Sequence, residues 1–288
     1  MKFDEGHESP DLIDRRGEGG GGGGPALAGI APFLPLLLRS RFGWVIIVGF
    51  VVYSAVKGIG FGGKQDAAQG AHGAAKPDSE LKHFVSFVLD DTQATWEHEM
   101  QARQKPYRHA KLVLFTDATQ TGCGYGNAAT GPFYCPEDER VYIDLGFYRE
   151  LSDRLGAGGD FAQAYVIAHE MGHHIQKLLG TNAKVSGLRG PAEGANGASV
   201  RLELQADCYA GIWAHSAAAR NLLEKGDLDE ALNAAAAIGD DRLQRQSNGT
   251  VSPETFTHGT SEQRGRWLHR GYDTGSMEQC DTFAANPL

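Results

Sequence analysis

The chain has 288 residues, 41% of them hydrophobic, which is enough for a sizeable core in one ample domain or two small ones. Its formal net charge of −9 argues against a nucleic-acid-binding protein, because such proteins normally present a basic face. Many of its 39 glycines lie at residues 17–24 and 57–76. These two stretches can bury too little apolar surface to offset their chain entropy, so we expect flexible linkers there.

An apolar run between the two linkers is long enough to cross a membrane. Within residues 33–61, no charge occurs from Phe42 to Val56, and the run matches a hydrocarbon core about 30 Å thick. A buried core helix is the alternative, but the run has no neighbouring partner in sequence. We therefore predict a disordered Gly-rich tail over residues 1–32, a single transmembrane anchor over 33–61, a flexible linker over 62–77 and a globular domain over 78–288.

The four cysteines all follow the apolar run, and none belongs to a CxxC pair. An even number suits two disulfides in an oxidising compartment, whereas four buried free thiols are the alternative. We predict that Cys123 pairs with Cys135 across their loop and that Cys208 pairs with Cys280. The basic residues flanking the run barely favour an inside N-terminus. The cysteines favour a periplasmic or extracytoplasmic domain.

In the region from residue 78 onward, strands come first and helices follow. Residues 80–101 carry apolar side chains at helical spacing, whereas 110–116 and 140–148 have the composition and alternation of strands. The Gly- and Pro-rich stretch 122–139 predicts a loop. Further helices are expected at residues 159–180, 198–223, 229–245 and 260–275. This order favours an α+β domain with a small sheet.

The stretch AHEMGHHIQKLLG, residues 168–180, places three histidines and a glutamate close together on one predicted helix. His169 and His173 are four residues apart, so their side chains share a face and can bind one Zn²⁺ ion. Glu170, about 100° around the helix, can reach a water at the metal without coordinating the ion. This is the HExxH arrangement of zinc peptidases. His174 points away, which predicts a packing or supporting role.

A catalytic zinc needs a third protein ligand, and ELQADCYAG on the next predicted helix offers candidates. Glu203 and Asp207 are four residues apart on one face, and a Gly-rich loop lets their helix fold back on the first. We assign Glu203 as the ligand because of its longer reach, and Asp207 as the hydrogen-bond partner of a ligand histidine. Cys208 is a further donor unless a disulfide consumes it. His258 and Tyr209 are candidates for stabilising an oxyanion.

The segments VIAHEMGHHIQ and RLELQADCYAGIWA together resemble the neutral zinc metallopeptidase family of membrane-anchored bacterial proteins. DRRGEGGGGG, the apolar run, GPFYCPEDERVYIDLGFY, FTHGTSEQRGRW and the terminal CDTF extend this resemblance over nearly the whole chain. The resemblance implies a zincin-like metallopeptidase domain with an HExxH helix and a downstream glutamate ligand. The spacing of Glu203 and Asp207 also resembles that of the gluzincin peptidases, which implies the same roles.

The predicted function is hydrolysis of peptide bonds by a membrane-anchored, zinc-dependent peptidase with Glu170 as general base. Its partners are a peptide or protein substrate and the lipid bilayer. We expect residues 140–147 to form an exposed edge strand beside the metal, to which an extended peptide can add. A non-haem iron oxygenase is one alternative, because it also uses two histidines and a carboxylate. A catalytically silent, membrane-tethered assembly or binding factor is another, whereas the HExxH helix is too polar for an intramembrane protease.

Overall fold

The computed structural model describes residues 1–18, 78–186 and 192–288. The expected anchor at 33–61 and the expected linker lie outside this part of the chain. Among the described residues, no helix is long and apolar enough to cross a membrane. Membrane attachment through residues 33–61 therefore stays a prediction.

Strands and helices occur in the order expected for an α+β domain, which confirms that fold class. The strands are β1 Leu12–Asp14, β2 Lys111–Phe115, β3 Ala118–Thr121, β4 Gly124–Asn127, β5 Phe133–Cys135 and β6 Arg140–Asp144. The helices are α1 Asp78–Ala102, α2 Gly146–Asp153, α3 Asp160–Leu179, α4 Thr181–Ser186, α5 Ala198–Ala219, α6 Asp227–Ala237, α7 Asp240–Asn248 and α8 Ser261–Thr274. The helix predicted over 229–245 is interrupted at Gly239, which lies too close to Ser261 for any side chain to fit.

The main sheet has four strands in the order β1-β2-β6-β5, and β3 and β4 form a separate hairpin. Strands β1, β2 and β6 are parallel, whereas β5 is antiparallel to β6. The expectation that residues 140–147 form an exposed edge is therefore wrong. The stretch 122–139, predicted to be a loop, supplies β5, which covers the open side of β6. The chain then turns into helix α2 at Gly146, where the sequence suggested continued strand.

Residues 1–18 belong to the folded domain, so the expectation of a disordered tail is wrong for them. Strand β1 pairs with β2, with Leu12 opposite Leu112. The side chain of Met1 is buried in the main core, and its amino group lies 2.8 Å from a carboxylate oxygen of Asp160. The glycine run that predicts flexibility begins only at Gly17, and the segment before it carries enough apolar side chains to pack.

The pairing of β1 with β2 also constrains membrane topology. Two strands of one sheet must lie on the same side of a membrane, so residues 1–18 share a compartment with residues 78–288. A single crossing by residues 33–61 would place β1 and β2 on opposite sides. The paired strands and a single crossing cannot both hold, so the single crossing stays a prediction that labelling of residues 1–18 and 78–288 in cells would test.

Both predicted disulfides are confirmed. Cys123 is bonded to Cys135, which joins the turn between β3 and β4 to the end of β5. Cys208 is bonded to Cys280, which joins helix α5 to a short 3₁₀ turn near the C-terminus. Helix α5, which carries Glu203 and Asp207, is thus covalently fastened to the C-terminal segment.

Helix α5 packs closely against both α3 and α8. A Cβ atom built on Gly172 of α3 would lie 3.0 Å from the backbone of Ala206 in α5. Gly211 of α5 and Gly271 of α8 approach so closely that a Cβ on either would overlap the backbone of the other helix. These glycines bring the backbones together and allow polar side chains on three helices to meet.

Candidate metal centre and active site

Helices α3 and α5 bring two imidazoles and one carboxylate to a common point. His169 and His173 come from α3, and Glu203 from α5. Nε2 of His169 lies 3.2 Å from one oxygen of Glu203, and Nε2 of His173 lies 3.4 Å from the other. One ligand atom from each residue lies within 4.8 Å of the others, so the three could hold one metal ion. The structure thus brings together the residues that the sequence proposed as ligands.

Each histidine uses its other ring nitrogen for a hydrogen bond inside the protein. Nδ1 of His169 donates to Asp207 at 2.8 Å, which is the partner that the sequence suggested. Nδ1 of His173 donates to the side-chain oxygen of Gln176 at 2.9 Å. The Gln176 amide nitrogen donates to the Leu202 carbonyl, which fixes the orientation of the amide. Both imidazoles therefore present Nε2 as the atom available to a metal.

Asp207 is held by a buried network that the sequence analysis did not identify. Arg264 of α8 donates from two nitrogens to the two carboxylate oxygens, each at 2.9 Å. The hydroxyl of Tyr165 donates to Asp207 at 2.6 Å and accepts from Arg264 at 3.1 Å. Tyr165 lies on the predicted helix 159–180 and Arg264 on the predicted helix 260–275. Neither spacing nor composition marks these two residues as partners of a residue on a third helix.

The electrostatics of this cluster favour a positive charge between the two helices. Burial raises the pKa of Asp207, but Arg264 and His169 outweigh it and lower the value to about 2. Burial also opposes a charge on His169, yet Asp207 and Glu203 raise its pKa to about 10. The carboxylate of Glu203 has a pKa well below its usual range, because the two histidines outweigh its burial. Either protons on the imidazoles or a bound cation would neutralise the negative charge of these carboxylates.

A cavity of about 620 Å³ opens onto the candidate metal ligands. Glu170 lines it and is only 7% exposed. His258 also lines it, and its Nδ1 lies 3.1 Å from the carboxylate of Asp240. The second oxygen of Asp240 accepts from three consecutive backbone N–H groups of the same loop, which fixes the loop on the first turn of α7. His258 is thus placed at the site, as the sequence proposed.

Tyr209 lies elsewhere, and its proposed role as an oxyanion partner is wrong. It lies two residues after Asp207, which turns its side chain about 200° around helix α5. The ring packs edge-on against Trp96 of α1, with centroids 5.2 Å apart. It therefore belongs to the core between these helices.

The lining of the cavity is mainly apolar away from the candidate ligands. Residues 129–134, which include most of the edge strand β5, form one side of it. The large apolar side chains that line it are Phe133, Phe147, Leu155, Val166, Leu202, Ile238 and Leu243. An apolar groove with a few convergent polar groups is the usual form of a ligand-binding site.

A polar helix pair that presents two imidazoles and a carboxylate to a cavity is the arrangement expected of a zinc peptidase. Over residues 1–283 the chain matches the family described as "Putative neutral zinc metallopeptidase", and it belongs to that family. The resemblance seen in the sequence is confirmed.

Relatives of this chain occur in distant bacteria. "Uncharacterized protein YpfJ" of Escherichia coli strain K12 is 47% identical over 290 residues, which cover 98% of this chain and 99% of that protein. "Uncharacterized protein Mb2605" of Mycobacterium bovis is 42% identical over 210 residues, 69% of each chain. No solved structure matches the chain.

Proposed function

We propose that this protein is a zinc-dependent peptidase with a zincin-like domain, in which His169, His173 and Glu203 hold the metal. One observation carries the proposal. Both histidines present Nε2 to the carboxylate of Glu203, because each Nδ1 is already bonded within the protein. Imidazoles that are held in fixed orientations around a shared point beside a cavity favour a metal-binding role over a role in core packing alone.

The donor set fits zinc. Two imidazole nitrogens and one carboxylate oxygen are zinc ligands, and three protein ligands leave a fourth position open, as in catalytic rather than structural sites. Iron accepts the same donors, so the choice of zinc rests on the family, and metal analysis of the purified protein tests it.

The roles of the protein groups follow from their positions. A bound zinc ion would supply Lewis acidity toward a water molecule and toward a peptide carbonyl. Glu170, beside the ligands on α3, accepts the proton of the attacking water and passes it to the leaving amine. His258 is oriented through Nδ1, which donates to Asp240. In the imidazolium form, where both ring nitrogens carry protons, its Nε2 can donate to the developing oxyanion. Asp207 and Gln176 hold the histidines in place.

The substrate is an extended peptide that adds to the outer edge of β5. Among the described residues, β5 pairs with β6 on one side only, and its neighbours line the cavity. Main-chain hydrogen bonds to such an edge give affinity without demanding a particular sequence. The apolar wall favours apolar side chains next to the scissile bond. The two disulfides support an oxidising compartment for the domain together with residues 1–18.

The decisive test is Glu170→Gln in the full-length protein, with fluorescein-labelled casein as a disordered substrate. Glutamine keeps the volume and leaves the proposed ligands in place, so zinc should remain bound at one ion per chain. A carboxamide cannot accept a proton, so the cleavage rate should fall by about 10²- to 10⁴-fold. Glu254→Gln, at an exposed position, is the matched control and should cleave like the wild type.

Metal content separates the remaining outcomes. Glu203→Ala should lose zinc, and full zinc occupancy in that variant would contradict the assignment of the third ligand. Equal cleavage by wild type and zinc-loaded Glu170→Gln would contradict the role of general base. If neither protein cleaves casein while zinc stays bound, the site is that of a catalytically silent binding or assembly factor.

A further inference from the structure

His174 directly follows the second proposed ligand, yet it takes no part in the metal group. It is fully buried on the face of α3 that is turned toward the sheet. Its Nε2 lies 2.7 Å from the backbone oxygen of Arg108, and its Nδ1 lies 2.9 Å from the hydroxyl of Tyr134. A histidine on the zinc helix is therefore bonded to the edge strand β5 and to the segment that leads into β2.

The direction of these two bonds follows from their chemistry. A backbone carbonyl can only accept, so Nε2 of His174 must carry the proton and donate to Arg108. In a neutral imidazole the other nitrogen is then an acceptor, and Tyr134 donates its hydroxyl proton to it. Lysine or arginine at this position could not accept that proton, and an aliphatic residue could make neither bond.

Strand β5 needs such a side-chain tether, because it has three residues and pairs with β6 on one side only among the described strands. Phe133 stacks on Tyr142, with ring centroids 5.0 Å apart, on one face of the sheet. Side chains alternate between the faces of a strand, so Tyr134 points to the other face, where α3 lies. The Tyr134 hydroxyl is thus a polar connection between the strand and the helix that carries His169 and His173.

We propose that His174 is a positioning residue, which fixes the substrate edge of β5 relative to the metal ligands through Tyr134. This inference rests on the proposed function, since the edge matters only if a peptide is bound along it. Loss of the bond would let a short strand shift against α3 and would weaken peptide binding. It would leave the ligands and Glu170 where they are, so the effect falls on substrate affinity and not on zinc binding or the chemical step.

Three variants separate the two hydrogen bonds. Tyr134→Phe removes only the hydroxyl. His174→Gln can keep the donation to the Arg108 carbonyl through its amide nitrogen but offers no acceptor at the position of Nδ1. His174→Asn has the opposite property, because its shorter side chain can accept from Tyr134 but cannot reach Arg108. Tyr125→Phe, a tyrosine that is 69% exposed on the β3–β4 hairpin, is the matched control.

Two measurements are made with full-length protein and labelled casein. In the Glu170→Gln background, fluorescence anisotropy gives the dissociation constant of casein without turnover. In the wild-type background, initial rates give KM and kcat. We expect Tyr134→Phe and His174→Gln each to weaken binding and raise KM by about 3- to 10-fold, the size of one neutral hydrogen bond. We expect kcat and zinc content to stay within about twofold, and Tyr125→Phe to have no effect.

The double variant Tyr134→Phe/His174→Gln should be no worse than either single variant, because both remove the same bond. His174→Asn should keep casein affinity near that of the background, although it unfolds at lower urea concentration. Unchanged affinity in Tyr134→Phe, additive effects in the double variant, or no casein binding by the background would each overturn the inference. If the wild type does not cleave casein but binding still depends on this bond, the proposed peptidase function fails and the positioning role stands.

Discussion

The helix pair α3 and α5 and the N-terminal residues 1–18 both join the domain from distant points along the chain, but different interactions hold them. The helix pair depends on a few fully buried charges, in which Asp207 is shared by His169 and Arg264. Residues 1–18 depend on one short parallel strand, buried Met1 and several partly exposed ion pairs. Loss of one partner in the buried charge cluster should destabilise the whole cluster. Each contact of residues 1–18, in contrast, adds a small and separate amount to the free energy of unfolding.

The largest expected effect concerns the compartment of residues 1–18. Glu5→Cys and Glu254→Cys, both at exposed positions, would be labelled in intact cells with a membrane-impermeant maleimide. Because β1 and β2 form one sheet, both sites should react or both should be protected, and detergent should make any protected pair reactive. Labelling of one site only would show that the N-terminal strand is not paired in the cell, and would restore a single membrane crossing.

A smaller but still severe effect is expected from the buried ion pair. Arg264→Met leaves the charge of Asp207 without its main partner, and should lower the free energy of unfolding by about 3–5 kcal/mol. Urea unfolding of the zinc-free protein measures this without the contribution of a metal. Arg266→Met, whose side chain is 46% exposed on the same helix, is the matched control and should change stability little.

If Asp207 and Arg264 stabilise the helices as a charge pair, a double variant should show it. The double variant Arg264→Met/Asp207→Asn should lose much less free energy of unfolding than the sum of the losses in the two single variants. The reason is that the double variant leaves no uncompensated charge in the core. Additive costs would show that Arg264 stabilises the helices by packing alone, and the contrast with the N-terminal segment would then disappear.

The smallest expected effect lies in the N-terminal segment. Burial raises the pKa of Asp11, but hydrogen bonds from His109, Lys111 and Gln93 outweigh it, so the value lies below the ordinary 3.8. A carboxyl with a lowered folded-state pKa stabilises the protein above its unfolded-state pKa, and this contribution is lost as pH falls through the folded-state value. Asp11→Asn should therefore lower the free energy of unfolding by about 0.2–1 kcal/mol near pH 7.

Thermal unfolding at several pH values checks the sign. The stabilisation of wild type relative to Asp11→Asn should be present between pH 7 and about pH 5 and should shrink below pH 3.8. Glu5→Gln serves as an exposed control. A difference that does not shrink below pH 3.8 would mean that the carboxylate of Asp11 does not hold this segment to the sheet.

The same contrast explains how much could be predicted from the sequence. The positions of His169, His173, Glu203 and Asp207 follow from helical periodicity, which is local and regular. Gln176 was within reach of the same reasoning, because it lies three residues after His173 on one helix.

The parts that were missed depend on contacts between distant segments. Arg264 reaches Asp207 only because α5 and α8 cross closely, and no local pattern shows which helices will cross. Strands β1 and β5 have three residues each, too few for an alternating pattern to distinguish them from a loop. Their pairing is decided by the neighbours they meet in the folded sheet.

The crossing of α5 and α8 at Gly211 and Gly271 limits how the domain can move. Helices normally slide past each other on a layer of side chains, which adjust by changing rotamers. Here backbone meets backbone, and the Cys208–Cys280 disulfide fastens α5 beside the crossing. Helices α3, α5 and α8 should therefore behave as one stiff block that carries the metal ligands. Any motion that admits a substrate should therefore come from residues 129–132, which line the cavity just before strand β5.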